Sequence, residues 1–477
     1  MTATGTRKYR GITLIFVAIQ VAVAVMLFVK VGDIQVVPGT YLALGAAVVA
    51  VIDLILVLVA RNKVSTIVTS VISVLLTVAM LAGYIVVHKL DSTLTDISSG
   101  EKYETIQVSV LVLKDDTAQS LSDLAGTTVG SLKDDDGVSD VQTKINEAVS
   151  TAVTYTDYMD QASLADALLN QSARAIIMNQ AYVDVLDEME GYEGFADKVR
   201  ALYTLEVKIP IKDDTSSTDS TKDGTFLVYV SGIDTYGSVN VKSRSDVNIL
   251  AAVNTKTGKV QLINTPRDYY VAFPEKNNAK DKLTHAGIYG IDCSISTLEQ
   301  LYGQKIDYYV RMNFSGFEGI IDAMGGIDVD SDYAFSADGY SYVKGTNHLN
   351  GAQALRFARE RHSFSEGDVQ RGKNQMAVIT AVIKKAASAD TLKNFSSIMN
   401  QLSGTFQTNM PTETMYSLVS KQLSSGTSWD VESYTVTGTG SMSTETYSMP
   451  GRNLYVMVPD QTTVDQAKTL INNVLNS

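Results

Sequence analysis

The sequence predicts an α/β protein carried on a membrane anchor of three helices. Three apolar segments near the N-terminus, about residues 11–29, 41–60 and 64–87, each approach the roughly 20 residues that span a bilayer. Beyond them, short apolar runs typical of buried strands alternate with stretches of helical spacing. A polar segment divides this second part in two. We therefore expect a small α/β accessory domain, followed by a larger α/β domain in which helices flank a central sheet.

The charges around the apolar segments predict how the anchor is oriented. Basic residues lie before the first span and between the second and third, whereas the loop at 31–40 carries only Asp33. These basic residues are Arg7, Lys8, Arg10, Arg61 and Lys63. Because basic loops stay on the cytoplasmic side, the N-terminus is predicted to be cytoplasmic and everything after about residue 89 extracellular. A cleavable signal peptide does not fit, since two more spans follow the first at once. The prediction is a multi-pass protein of the cell membrane.

Composition shifts set the predicted boundaries. The anchor covers 1–91, the accessory domain 92–211, a linker 212–224, and the larger domain 225–477 with a motif-rich core at 225–383. The linker reads KDDTSSTDSTKDG, which has almost no apolar side chain and favours an unfolded connection. Two spans contain polar residues, Gln20 and Asp53, which favour a hydrogen bond between helices over a proton pathway.

Periodicity predicts the elements of the larger domain. Thr225–Val230 reads as a buried strand, and the apolar runs at 248–253 and 259–263 should pair as a hairpin across a turn that ends in Gly258. Helical spacing is found from Ile291 to Leu301 and from Phe314 to Met324, and a longer helix is predicted over 369–387. In the accessory part, strands at 107–113 and 175–178 alternate with helices at 162–169 and 182–189.

Charge and cysteine content exclude several classes of function. The chain has 39 Lys plus Arg against 52 Asp plus Glu, and its net charge of -13 opposes general binding of nucleic acid. Cys293 is the only cysteine, so neither an intrachain disulfide nor a cysteine-based zinc site can form. Any anion-binding site must therefore be local.

Acidic residues form the first candidate group. Asp234 follows the strand at 225–230, and Asp246 lies at the start of the next strand beside Arg244. Two carboxylates at neighbouring ends of strands could hold a hard divalent cation such as magnesium. Paired aspartates in loops are more often caps or turn residues, so this pattern alone leaves both interpretations open.

Basic residues form two further groups. Arg267 and Asp268 follow the hairpin, and Lys282 is predicted to lie in a loop before a helix. A guanidinium fork suits phosphate because it can engage two oxygens, although a surface ion pair is the alternative. The second group is rich in arginine within an acidic chain and could surround a diphosphate or form an ordinary basic helix. Its members are Arg359, Arg361, Arg371 and Gln375, the last two one turn apart on a helix.

The order of these motifs resembles the LytR-CpsA-Psr family of Gram-positive wall enzymes. The segments are SGIDTYG, RSD, INTPRD, DKLTHA, FEGIIDAMGGIDV, LNGAQALRFARERH and GDVQRGKNQ. They cover about residues 225–383 densely and the remainder loosely. The three spans and the extra external domain resemble the streptococcal capsule branch of that family. This chain has Lys373 and Asn374 after Arg371, where many members carry a second arginine.

The resemblance implies a phosphotransferase that moves a capsular polysaccharide, or a related anionic glycopolymer, from a polyprenyl pyrophosphate carrier to peptidoglycan, forming a phosphodiester link. It implies an apolar tunnel for the polyprenyl chain and a magnesium ion, with manganese as an alternative, held by Asp234 and Asp246. Arg267, Asp268 and Arg371 are assigned to catalysis. Pyrophosphate binding is assigned to Arg244, Arg267, Lys282, Arg359, Arg361, Arg371 and Gln375. The alternatives are a non-catalytic regulator that binds lipid carrier or polymer, and a polyprenyl pyrophosphate hydrolase.

Overall fold

The computed structural model of the chain describes residues 3–33, 37, 39–99, 103–133, 135–211, 224–233, 235, 238–365, 367–388, 391, 398–399 and 406–477. Most of the predicted linker and the predicted metal ligand Asp234 lie outside these ranges. The chain divides into two compact units. One comprises residues 1–99, 383–403 and 410–428, and the other comprises 100–382, 404–409 and 429–477.

The first unit contains three long helices, α1 (Ala3–Asp33), α2 (Gly39–Val59) and α3 (Lys63–Ser99). Their apolar parts, at 9–33, 39–59 and 63–89, are long enough to cross a membrane, in agreement with the predicted anchor. The helix α13 (Thr412–Ser425) belongs to the same unit.

Polar side chains connect the three long helices in their buried interior. Gln20 of α1 donates to Asp53 of α2 over 2.7 Å and accepts from Ser73 of α3, also over 2.7 Å. The predicted inter-helix hydrogen bond is thereby confirmed. Hydrogen bonds of this kind stabilise helix association in an apolar surrounding because the same groups would otherwise be left unsatisfied.

The N-terminal part of the second unit is a five-stranded mixed sheet with strand order β3-β2-β4-β1-β5. Its strands are β1 (Tyr103–Leu113), β2 (Thr128–Leu132), β3 (Thr154–Tyr158), β4 (Ala175–Asn179) and β5 (Val199–Pro210). Its helices are α4 (Val138–Ala148), α5 (Gln161–Leu169), α6 (Ala181–Asp187) and α7 (Phe195–Lys198). The predicted strands at 107–113 and 175–178 and the predicted helix at 162–169 are confirmed, and α6 lies within one residue or two of its predicted bounds.

The remainder of the second unit is built on a six-stranded sheet with order β16-β11-β6-β7-β8-β17. Its strands are β6 (Thr225–Ile233), β7 (Ser245–Asn254), β8 (Lys259–Asn264), β11 (Tyr308–Met312), β16 (Phe406–Thr408) and β17 (Asp430–Thr435). The predicted hairpin is confirmed, because β7 and β8 pair antiparallel with Leu250 opposite Ile263. The carboxyl ends of β6 and β8 therefore lie at the same edge as the start of β7.

Helices and short strands surround this sheet. The helices are α8 (Leu283–Tyr289), α9 (Ile291–Tyr302), α10 (Phe314–Ala323), α11 (Gly351–Arg359), α12 (Asp368–Ala386) and α14 (Gln461–Leu475). The short strands are β9 (Tyr270–Phe273), β10 (Ala279–Lys282), β12 (Ile327–Ser331), β13 (Phe335–Ala337), β14 (Tyr340–Tyr342), β15 (Gly345–Leu349), β18 (Gly438–Ser443) and β19 (Leu454–Pro459). The helices predicted from Ile291, from Phe314 and over 369–387 are confirmed as α9, α10 and α12.

A packed hydrophobic core supports the strands of this sheet. Leu227, Leu250 and Ile263 of adjacent strands are at most 1% exposed and pack with Leu298 of α9 and Ile471 of α14. Removing such side chains from water is the main stabilising term in folding. The strand ends that carry the charged residues are thus fixed by a packed core.

Candidate active site

Two buried arginines lie at one edge of the six-stranded sheet. Arg244 directly precedes β7, and Arg267 follows β8 in a tight turn in which the Tyr269 amide donates to the Pro266 carbonyl. Because β7 and β8 are antiparallel neighbours, the start of one and the end of the other meet at this edge. The two residues are only 7% and 8% exposed, so their guanidinium groups need anionic partners.

Asp246 is one of these partners. Nη1 of Arg267 lies 3.1 Å from Oδ1 and 3.2 Å from Oδ2 of Asp246, and the Thr284 hydroxyl donates to Oδ1 over 3.2 Å. Burial opposes ionisation of Asp246, but Arg267, Arg244 and Arg371 outweigh it and hold the pKa of this carboxyl well below its usual range. Asp246 is therefore a permanent anion at neutral pH.

Lys282 and Asp268 form a second ion pair beside Arg267. Nζ of Lys282 lies 3.1 Å from Oδ1 of Asp268, and Nε of Arg267 lies 3.8 Å from Oδ2. The prediction that Lys282 lies in a loop was wrong. Lys282 is the last residue of β10 and pairs with Tyr270 of β9, because the chain runs straight from this short strand into α8. The strand pairing fixes the position of the lysine backbone.

Helix α12 brings Arg371 and Gln375 to the same edge. Both side chains line a small cavity together with Asp246 and Arg267, so four predicted site residues meet in one place. The cavity has a volume of about 20 Å³, which is room for about one water molecule. The helix approaches β8 closely at Gly372, where an added Cβ would lie 2.3 Å from the Asn264 side-chain nitrogen.

Arg359 and Arg361 are not part of that cavity wall. Arg359, the last residue of α11, stacks its guanidinium on the Phe314 ring at 4.3 Å from the ring centroid. Arg361 is exposed, and its Nε lies 3.4 Å from Nε2 of His362. Their assignment to pyrophosphate binding stays a prediction.

A carboxylate from the five-stranded part of the unit reaches into this cluster, and no pattern in the sequence indicated it. Glu188 follows α6, and its Oε1 accepts from Arg244 Nη1 over 2.6 Å and from Arg267 Nη2 over 3.1 Å. Its Oε2 lies 4.0 Å from Nζ of Lys282, and Asp184 Oδ2 lies 3.9 Å from Nη2 of Arg244. The local sequence is merely acidic, and the nearest partner in the chain is 56 residues away.

These neighbours determine the charge of Glu188. Burial disfavours its ionised form, but Arg267, Arg244 and Lys282 outweigh that effect and lower the pKa of Glu188 to about 2. In this cluster each cationic side chain is therefore next to an ionised carboxylate. Chemically, such an array of buried guanidinium groups can bind the oxygens of a phosphate ester and can stabilise charge that develops on them.

Asp246 is also a candidate ligand for a metal ion. Its ionised carboxylate, beside the Thr284 hydroxyl, supplies the oxygen ligand that magnesium prefers. Over the described ranges, no group of three or more His, Cys, Asp and Glu side chains is arranged to hold a metal ion. Asp246 is therefore suitable as one ligand, and the second predicted ligand, Asp234, lies outside those ranges.

Comparison with known proteins adds an independent line of evidence. A sequence model of the LytR_cpsA_psr family matches residues 192–472, which include every candidate residue except Glu188 and Asp184. A polyisoprenyl-teichoic acid–peptidoglycan teichoic acid transferase, TagU of Bacillus cereus, is 34% identical over 219 residues, covering 45% of this chain and 71% of the relative. TagU of Bacillus mycoides is 36% identical over 178 residues, covering 37% and 58%.

Among solved structures, B. subtilis TagV is similar to this chain with a TM-score of 0.46 and 27% identity, over 53% of this chain and 98% of TagV. A structure of TagT bound to LI-WTA has a TM-score of 0.43 and 28% identity, over 55% and 94%. The match with Bacillus mycoides TagU spans less than two thirds of that relative.

Proposed function

Because the chain belongs to the LytR_cpsA_psr family, we propose that it transfers a glycopolymer from a polyprenyl pyrophosphate carrier to peptidoglycan. The relatives from Bacillus are named for the same type of reaction with teichoic acid. The observation that carries the proposal is the meeting of Arg267, Arg371, Gln375 and Asp246 at one cavity, with Arg244 beside them. It is an anion site in a chain whose net charge is -13.

The reaction needs little covalent chemistry from the protein. A hydroxyl oxygen of a peptidoglycan sugar attacks the phosphorus nearest the polymer, and the bond from that phosphorus to the bridging oxygen breaks. The products are a phosphodiester link and polyprenyl phosphate, which retains the electron pair of the broken bond, and the proton of the attacking hydroxyl is released to solvent. In this proposal Arg267 and Arg371, which are both buried, stabilise the negative charge on the leaving phosphate.

Asp268 acts in this proposal as a positioning residue. Its carboxylate pairs with Lys282 at 3.1 Å and faces Nε of Arg267 at 3.8 Å, so it orients two of the cations. Magnesium, or manganese in its place, would be held by Asp246 and Asp234 and would neutralise charge on the diphosphate oxygens when bound. Arg359 and Arg361 would contact the diphosphate from the surface side of the site.

The polymer proposed is a capsular polysaccharide or a related anionic glycopolymer. The support is the anchor of three apolar helices followed by a five-stranded sheet with its own helices, the layout that resembles the capsule branch of the family. We also propose that the N-terminus is cytoplasmic and that residues after about 89 are extracellular, where peptidoglycan is found. Reporter fusions after residues 61 and 477 test this orientation, since only the second should be active outside the cell.

A transfer assay tests the function. The full chain in detergent is supplied with lipid-linked oligosaccharide and a peptidoglycan acceptor, and the phosphodiester product is followed by mass spectrometry. Arg267→Ala and Arg371→Ala should each abolish transfer, and chelation by EDTA should do the same. The matched control is Arg356→Ala, because Arg356 pairs with Asp338 at 3.3 Å on the surface of the same stretch. Full turnover by Arg267→Ala refutes the site, and release of free polymer alone identifies a hydrolase.

A further inference from the structure

Glu188 is held by two of the arginines that the proposed function assigns to the diphosphate. One of its oxygens lies 2.6 Å from Nη1 of Arg244 and 3.1 Å from Nη2 of Arg267, so two guanidinium groups converge on a single atom. Lys282 lies 4.0 Å from the other oxygen. An oxygen of a phosphate held by the same residues would make the same contacts, because arginine binds carboxylate and phosphate with one geometry.

A small cavity adjoins these residues. The space between Asp246, Arg267, Arg371 and Gln375 is about 20 Å³, on the scale of one water molecule. A diphosphate that engages both Arg244 and Arg267 must displace the Glu188 carboxylate, because one Glu188 oxygen already contacts both guanidinium groups. Glu188 is the more mobile partner in these contacts, because its side chain is 32% exposed, whereas Arg244 and Arg267 are 7% and 8% exposed.

Glu188 is not needed to hold the five-stranded part in place. A separate contact does this: Glu104, in β1, forms a buried ion pair with Arg311 and accepts from the backbone amide of Ile291. Tyr182 adds a hydrogen bond to Tyr289 between their hydroxyl groups at 3.1 Å. None of these contacts involves the Glu188 side chain, so its rotation breaks none of them.

We propose that Glu188 is a displaceable internal anion, which pairs with Arg244 and Arg267 in the resting protein and is replaced by the diphosphate of the lipid-linked substrate. This inference rests on the proposed function, since it takes the same arginines as the diphosphate site. The carboxylate satisfies the buried cations while no substrate is bound. Anions of low affinity are thereby excluded from the site, because any ligand must compete with the Glu188 carboxylate.

Binding of inorganic pyrophosphate tests the competition directly. Pyrophosphate is titrated calorimetrically, in the presence of EDTA, into the full chain in detergent. Glu188→Gln should bind pyrophosphate about tenfold more tightly than the unmodified chain, because binding no longer has to break the ion pairs of Glu188 with Arg244 and Arg267. The control Glu190→Gln removes an exposed carboxylate two residues away and should leave the affinity unchanged. Equal or weaker binding by Glu188→Gln overturns the inference and makes Glu188 a positioning residue.

A second measurement needs no variant. Hydrogen exchange of the backbone at 181–198 is compared in the unmodified chain with and without saturating pyrophosphate. Exchange should become faster when pyrophosphate is bound, because the contacts that fasten the end of α6 are released. Unchanged or slower exchange contradicts displacement, even if Glu188→Gln does not fold.

The outcomes also separate this inference from the proposed function. If no variant binds pyrophosphate, the diphosphate site and the displacement both fail. If Glu188→Gln binds more tightly but the unmodified chain shows no transfer to peptidoglycan, displacement stands and the transferase proposal fails. If transfer occurs and Glu188→Gln gains no affinity, the displacement alone is overturned.

Discussion

Arg267 and Asp246 are joined so that one guanidinium nitrogen bridges both carboxylate oxygens. Nη1 lies 3.1 Å from Oδ1 and 3.2 Å from Oδ2, while the other terminal nitrogen of Arg267 faces Glu188 at 3.1 Å. Asp246 therefore fixes the plane of the guanidinium group. The other terminal nitrogen, Nη2, is left to bind Glu188 or the anion that replaces it. Because Thr284 also holds Oδ1, the pair has little freedom to rotate.

Replacing Asp246 by Asn tests this arrangement. The amide keeps the size of the side chain but removes the negative charge that orients Arg267 and that would bind a hard cation. Transfer should fall by about 100-fold or more, the usual effect of losing one preorganised charge-stabilising contact. The measurement is kcat in the lipid-linked oligosaccharide assay. Asp328→Asn is the control, because Asp328 pairs with His348 at an exposed position. A loss smaller than threefold would contradict the role of Asp246.

Acid should weaken the fold through the same cluster. The pKa of Glu188 is lowered from 4.5 to about 2, and that of Asp246 is lowered as well, so both groups are ionised more readily in the folded chain. Their contribution to stability is complete above the unfolded pKa and is lost as the pH falls from about 4.5 toward 2. For Glu188 we expect about 1 to 2 kcal/mol after screening by solvent.

The check is thermal unfolding of the full chain and of Glu188→Gln between pH 2 and pH 5. The unmodified chain should lose stability more steeply as the pH falls, since the variant has one carboxylate fewer to protonate. Glu190→Gln serves as the control, because Glu190 is an exposed carboxylate two residues from Glu188. Parallel curves for the unmodified chain and Glu188→Gln would show that the ion pairs add no stability.

Local patterns predicted most of the elements and part of the site. The hairpin of β7 and β8 and the helices α9, α10 and α12 follow from periodicity over adjacent residues, and Arg371 and Gln375 follow from helical spacing. These features depend on neighbours in the chain. Ordered motifs placed Arg267 and Asp246 in one site, although spacing alone could not have paired residues 21 positions apart.

The remaining features depend on long-range packing. Glu188 reaches Arg267 across 79 residues because the five-stranded part packs against the six-stranded part through contacts such as the Glu104–Arg311 ion pair. No property of an acidic stretch after a helix indicates such a partner. The position of Lys282 at a strand end was missed for a related reason. Strand β10 has four residues and three of them are charged, so it shows no apolar alternation.

Removing the charge of Glu104 should destabilise the second unit strongly. Glu104 is 4% exposed and Arg311 is 1% exposed, and the arginine also donates to the Val241 carbonyl over 3.0 Å. Glu104→Gln leaves a buried guanidinium without its counter-charge, which costs about 3 kcal/mol or more. Chemical unfolding of the full chain measures the change. Glu206→Gln is the control, because Glu206 makes an exposed contact with Gln107 in the same sheet. A change below about 1 kcal/mol would mean that solvent reaches Arg311.

Two glycines on facing helices should respond in opposite directions to alanine. Gly351 begins α11, and a Cβ there would lie 2.3 Å from the Glu318 carbonyl oxygen of α10, so the helices must separate to accommodate it. Gly351→Ala is therefore expected to destabilise the fold by about 1 to 3 kcal/mol. Gly319, in α10, has no atom within 4 Å of its Cβ position, and Gly319→Ala should stabilise the helix by up to about 1 kcal/mol.

The comparison isolates close packing from helix propensity, because both changes add one methyl group to the same pair of helices. Thermal unfolding of the two variants should shift in opposite directions relative to the unmodified chain. The amide of Gly351 also donates to Asp322 Oδ1 over 2.7 Å, so separation of the helices breaks a second contact and adds to the loss. Because α11 ends at Arg359, the Gly351 variant should also weaken transfer if Arg359 contacts the substrate. Equal shifts for the two variants would show that α10 and α11 are not in close contact in solution.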